Sequence, residues 1–106
     1  MTTPLTLSTH RRSDGISVVT AVGEIDMSNA ATFREALTQA AAADGRLVVD
    51  LTGVEYLDSA GLTVLFTHAP HVELIATPLL APVLTISGLA DITTMYQIDG
   101  GADGPQ

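Results

Sequence analysis

Leu5 and Leu7 flank Thr6, and after Gly15 the run Ile16–Val22 places Ile16, Val18 and Val22 on one side of an extended chain. This two-residue period predicts two short strands paired as an antiparallel hairpin. The period then lengthens. Ala30, Phe33, Leu37 and Ala40 recur three or four apart, behind Ser28 as a favoured N-cap type and ahead of Gly45 as a stop, which predicts a helix over about 29–43. Leu47–Leu51 is apolar at every position except Asp50, the pattern of a central strand covered on each face. Leu62, Leu65 and Phe66 predict a second helix of about two turns that starts at Ser59 or Ala60 and carries all three inward. It must end before Pro70, because the residue preceding a proline is biased away from helical angles. Val72–Ala76 reads as a further strand, Pro78 or Pro82 opens a last helix bearing Val83, Leu84 and Ile86 with Gly88 at its end, and Met95–Ile98 adds an edge strand.

Alternation of strands and helices implies an α/β domain whose consecutive strands are parallel neighbours joined by crossovers. Residues 1–98 form one domain in this reading and 99–106, with nothing apolar larger than Ala, form a flexible tail. Parallel strands ending near Ile25 and near Leu51 bring their C-terminal ends to one edge of the sheet. Asp26, Ser28, Asn29, Asp58 and Ser59 gather there, at the edge where open α/β sheets usually dock ligands and partners.

Composition narrows the functions this edge can serve. The chain has 106 residues, 46% of them hydrophobic but only 4% aromatic, so Val, Leu, Ile and Ala must build the core. Twelve acidic residues against four arginines give a formal charge of −8, which repels nucleic acids and anionic membrane surfaces alike. Without cysteine there is no disulfide and no thiolate nucleophile or metal ligand, which suits a reducing compartment; a cytoplasmic location is expected. Arg11-Arg12 runs into Ser13-Asp14-Gly15 instead of an apolar stretch, so no export signal is expected. The uncharged run Leu74–Ala90 is interrupted by Pro78, Pro82, Ser87 and Gly88 and reads as buried strand plus helix, not as a membrane span.

The most informative hydroxyl is that of Ser59, in Leu57-Asp58-Ser59-Ala60-Gly61-Leu62, where a strand gives way to a helix. A helix start carries unpaired N–H groups and partial positive charge, so a phosphate added to Ser59 would be held by donors and dipole together. The competing reading is that Ser59 only caps the helix. Asp58 orients that hydroxyl or caps the same helix end. Asp26 with Asp58 suggests an acid/base pair, but a solvated edge explains the two carboxylates more simply. Ser59 with His68 or His71 suggests a hydrolase, yet no Gly-x-Ser-x-Gly elbow is present and His68 lies well down the same helix. His68 and His71 lack a third metal ligand and read as loop residues, and Glu55 and Tyr56 read as turn residues. No cofactor or metal is called for.

Gly23-Glu24-Ile25-Asp26, Val48-Val49-Asp50-Leu51-Thr52-Gly53-Val54 leading to Leu57-Asp58-Ser59-Ala60-Gly61-Leu62, and Val83-Leu84-Thr85-Ile86-Ser87-Gly88-Leu89 together resemble the STAS domain of bacterial anti-sigma factor antagonists over roughly residues 5–98. The resemblance implies a mixed four- to five-stranded sheet flanked by about three helices, and a protein-binding module that is not an enzyme. It implies that Ser59 is a phosphoacceptor and that Asp26, Ser28, Asn29, Asp58, Ser59, Ala60, Gly61 and Leu62 face the partner, an anti-sigma factor with serine kinase activity. That partner would be captured by the unmodified form and released once it has phosphorylated Ser59. A STAS accessory subunit of a transporter ATPase is the alternative within the family, and a serine hydrolase the alternative outside it. Three departures from the family pattern stand out. Thr67-His68-Ala69-Pro70-His71 closes the second helix where relatives usually extend it, Ala60 replaces a common second hydroxyl, and Pro82 replaces an ordinary helical residue.

Overall fold

A computed structural model describes residues 4–44 and 46–98; the Gly45 stop and the 99–106 tail lie outside the described residues. Five strands form one sheet in the order β1-β2-β3-β4-β5: β1 (Thr6–Arg11), β2 (Ser17–Ile25), β3 (Leu47–Leu57), β4 (Val72–Ala76) and β5 (Thr94–Gln97). β1 is antiparallel to β2, as the hairpin pattern predicts, and β2 to β5 are mutually parallel. Helices α1 (Ala30–Asp44), α2 (Ser59–His68) and α3 (Ala81–Ile86) connect the parallel strands, with single 3₁₀ turns at Ala69–His71 and Leu89–Asp91. Among the described residues no helix is long and apolar enough to cross a membrane.

One core joins the helices to one face of the sheet. Val19 and Ala21 of β2, Leu47, Val49 and Leu51 of β3, and Leu74 and Ala76 of β4 meet Phe33 and Leu37 of α1, Val64 and Leu65 of α2, and Leu84 of α3 in a single buried cluster. Aliphatic interdigitation with Phe33 as its largest member supplies the close packing that an aromatic-poor chain needs.

Three expectations are corrected here. Val18 and Val48 lie opposite one another outside the core cluster, and Val22 on the same face is 46% exposed, so the helices cover one side of the sheet and not both. Strand β3 looked two-sided because neighbouring β-branched residues bury each other laterally even on an uncovered face. Phe66 is 36% exposed while Val64 and Leu65 are buried, because three consecutive helical positions span about 200° and cannot all face inward. Likewise only Leu84 of α3 is fully buried, with Val83 partly exposed and Ile86 at 86%, since a six-residue helix turns only one side to the sheet. Pro82 sits in its first turn, where a missing N–H costs nothing, and Gly88 takes the left-handed conformation that ends it at φ 91°.

Strand β3 also runs further than its apolar stretch. Glu24 pairs with Tyr56 and Ile25 with Leu57, so Glu55 and Tyr56 are strand residues and not a turn. Two register irregularities in the β2–β3 ladder, between Thr20 and Val22 and between Gly23 and Glu24, let the two strands finish level. Extra length in β3 carries Asp58 and Ser59 to the same edge as Asp26.

Candidate functional site

The site is a junction of strand and helix with a single residue between them. Leu57 ends β3, Ser59 begins α2, and Asp58 is extended at φ −95° and ψ −174°. Asp58 Oδ1 accepts hydrogen bonds from Ala60 N at 2.9 Å and Gly61 N at 3.1 Å, capping the helix. Its other oxygen, Oδ2, accepts from Met27 N at 3.1 Å, and Asp58 N donates to Ile25 O at 3.1 Å. One carboxylate therefore ties the start of α2 to the end of β2.

Asp26 organises the neighbouring turn. Its Oδ1 accepts from Ser28 Oγ at 2.5 Å and Ser28 N at 2.9 Å. The Ser28 hydroxyl first, and the Ser28 N–H after it, hold the Asp26 carboxyl below the usual carboxylate range. Asn29 completes the turn, its Oδ1 accepting from Asp26 N at 2.9 Å and its Nδ2 donating to Glu24 O at 2.9 Å. Ser28 does not cap α1, contrary to the sequence reading. Its hydroxyl is spent on Asp26, and the helix begins at Ala30, whose N–H bonds Asp26 O at 2.8 Å.

Ser59 is exposed, and its hydroxyl makes no hydrogen bond among the described residues. Two sequence expectations change as a result. Asp58, not Ser59, is the cap, and Asp58 already occupies the Ala60 and Gly61 N–H groups that a phosphate was expected to use. Asp26, Ser28, Asn29, Asp58 and Ser59 are nonetheless gathered at one edge. Ala60 and Leu62 are half-buried, whereas Gly61 is buried. A Cβ on Gly61 would lie 2.4 Å from Leu57 Cδ1 and 2.8 Å from Ile25 Cγ2, so glycine is what lets the first turn of α2 seat against both strand ends.

Among the described residues, neither His68 nor His71 lies beside Ser59. His68 stands nine residues after Ser59, about 13 Å along the helix axis. Its Nδ1 lies 3.0 Å from Val64 O, and its Nε2 lies 3.2 Å from Thr38 Oγ1 of α1. A carbonyl only accepts, so Nδ1 carries the proton and the ring pins α2 to α1. His71 lines a cleft with Arg46, Glu73 and Asp91 at the opposite end of the sheet. Asp26 is held below the usual carboxylate range by Ser28, which does not suit it to donate a proton at neutral pH, and both Asp58 oxygens are occupied by backbone N–H groups. Met27, which sequence reasoning passed over, is 81% exposed between these two acids. Its signal was a large apolar residue inside a polar turn.

Comparison with known proteins adds to this geometry. The STAS domain family model matches residues 9–97. No curated protein sequence matches the chain. The structure resembles that of an anti-sigma factor antagonist from Mycobacterium paratuberculosis with a TM-score of 0.80 and 30% identity, covering 88% of this chain and 86% of that one. A putative anti-sigma factor antagonist from Thermotoga maritima, at 0.66 and 19% identity over 87% and 86% of the two chains, shares the fold. So does the anti-sigma factor antagonist SpoIIAA in its unphosphorylated form, at 0.69 and 16% identity over 88% of each chain. The family match spans most of the sequence, and this fold assembles the same strand-to-helix edge that the sequence pattern singled out: the chain belongs to the STAS domain family.

Proposed function

We propose that this protein is a cytoplasmic anti-sigma factor antagonist, a binding module without catalysis of its own, whose partner is an anti-sigma factor with serine kinase activity. In this reading the partner docks on Asp26, Ser28, Asn29, Asp58, Ser59, Ala60 and Leu62, with buried Gly61 seating the helix beneath them. The partner phosphorylates Ser59 and is thereby released. One observation carries the proposal: the Ser59 hydroxyl is exposed and unengaged while its neighbour Asp58 does the capping, so the serine has no structural task at a position where one was available.

Electrostatics supports a release step. A phosphoserine adds about −1.5 to −2 charges to an edge that already carries Glu24, Asp26, Glu55 and Asp58 in a chain of formal charge −8. Each tenfold weakening of a complex needs about 1.4 kcal/mol, which one desolvated phosphate at an interface can supply without refolding.

Intact mass after incubation with ATP and lysate of the source cells, with the modified site mapped, tests the phosphoacceptor. Affinity capture with wild type, Ser59→Ala and Ser59→Asp, followed by identification of the captured protein, tests the partner. A protein kinase held by the first two and lost by the third is the expected result. Modification elsewhere, or equal capture of a non-kinase by all three, would overturn the proposal and favour a transporter or scaffold role.

A further inference from the structure

Between α1 and α2 runs a groove of about 350 Å³ lined on one side by Ala30, Ala31 and Arg34 and on the other by Ala60, Thr63 and Thr67. Arg34 is exposed and has no hydrogen-bond or ion-pair partner among the described residues. The other arginines differ: Arg11 donates to Gly15 O, Arg12 pairs with Asp14, and Arg46 pairs with Glu73. Among the described residues, Arg34 is thus the one arginine of the four that makes no hydrogen bond or ion pair, in a chain of formal charge −8.

Its placement relative to Ser59 follows from helix geometry. Both helices leave the same edge of a parallel sheet, and Ala30 in the first turn of α1 and Ala60 in the first turn of α2 line the same groove. Arg34 is one turn into α1, and long helical side chains lean back toward the N-terminus, which carries its guanidinium toward the level of Ala30 and Ala60. Ser59, Thr63 and Thr67 follow one another at four-residue spacing, so Ser59 heads the row whose next two members line the groove. The alanines leave the path open. Neither charged group on the other side favours a phosphate there: Asp58 holds the Ala60 and Gly61 N–H groups, and Asp26 adds a second carboxylate nearby.

We propose that Arg34 is the group that receives a phosphate placed on Ser59, folding over the groove to form a two-pronged, charge-assisted pair with it in the same chain. The proposal rests on the reading that Ser59 is phosphorylated, and it adds what becomes of the phosphate. The modified edge is an ordered, partly neutralised surface in which the α1–α2 groove is closed, instead of a freely rotating dianion.

Installing phosphoserine at position 59 during translation makes the test independent of any kinase. The second ionisation of that phosphate is followed by ³¹P NMR in the wild-type background, in Arg34→Gln and in Arg34→Lys. Asp26 and Asp58 are common to all three, so differences report on position 34. The phosphate is expected to titrate at least about 0.5 pKa unit lower in wild type than in Arg34→Gln, about a threefold change in its dissociation constant. Arg34→Lys should fall between them, keeping the charge and losing the fork. Coincident titrations of wild type and Arg34→Gln would overturn the pairing even if Arg34→Gln weakens partner capture, which would make Arg34 a partner contact instead. Such a failure leaves the kinase reading standing, whereas failure to modify Ser59 with ATP and lysate strikes that reading alone.

Discussion

Replacing Asp58 should unfold the site edge from the inside. Its carboxylate caps α2 through Ala60 N and Gly61 N and separately holds Met27 N across a gap of thirty-one residues. Loss of a helix cap costs about 1 kcal/mol within a range of about 0.5–2. A backbone N–H bonded to a charged acceptor contributes about 1.5 kcal/mol at the lower end of its range, which applies to a half-buried group. Asp58→Ala should therefore lose about 2–3 kcal/mol, or roughly 10–20 °C in Tm at about 4–8 °C per kcal/mol for a domain near this size. Asp58→Asn separates the two roles. Its amide oxygen can keep the cap, but its NH₂ then meets the Met27 N–H donor to donor, so its loss should be roughly half as large. Thermal unfolding by circular dichroism with amide exchange at Met27, Ala60 and Gly61 is the assay. Melting of Asp58→Ala within about 2 °C of wild type, or equal losses for Ala and Asn, would refute the assignment of two separable tasks to one carboxylate.

Three further outcomes are expected. Gly61→Ala gains up to about 1 kcal/mol of helix propensity but forces its Cβ within 2.4 Å of Leu57 Cδ1 and 2.8 Å of Ile25 Cγ2; overpacking of about 1–3 kcal/mol should win, and a urea midpoint above that of wild type would contradict it. Because the folded Asp26 carboxyl titrates below its unfolded value, its contribution is present above about pH 4 and is lost as pH falls through the lower, folded value. Ser28→Ala removes the main cause, so an NMR titration should show Asp26 moving up toward the ordinary carboxylate range; unchanged titration would mean that the hydroxyl is not responsible. Ser59→Ala should change unfolding free energy by no more than about 0.5 kcal/mol, since its hydroxyl bonds nothing among the described residues, and a larger loss would give that oxygen a structural role.

Much of this architecture was legible in the chain because periodicity and chain order report on the same packing. Val72–Ala76 coincides with β4, and the parallel order brought Asp26 and Ser59 to one edge as expected. What the pattern hid has physical causes. Apolar spacing cannot tell a core-facing side chain from one buried laterally by strand neighbours, which is why Val18 and Val48 suggested a second covered face. Phe66 and Ile86 are apolar yet exposed, and nothing in residue type distinguishes them from Leu65 and Leu84. Ser28, Asp58 and Ser59 are all favoured capping types. Only the extended backbone of Asp58 and the competing local hydroxyl bond of Ser28 to Asp26 decide which residue caps, and residue type alone reports neither. Met27 is 81% exposed, and the bond from its backbone N–H to Asp58, thirty-one residues away, is a long-range contact that apolar spacing does not report.

With Leu57 the last residue of a central strand and Ser59 the first of a helix, the serine has no loop on which to move. An enzyme that modifies it cannot draw an extended peptide into a groove and read its side chains one by one. Any such enzyme would have to accommodate a rigid relief, sheet end and helix shoulder together, so its recognition would be of a shape that a short peptide copied from this stretch would lack.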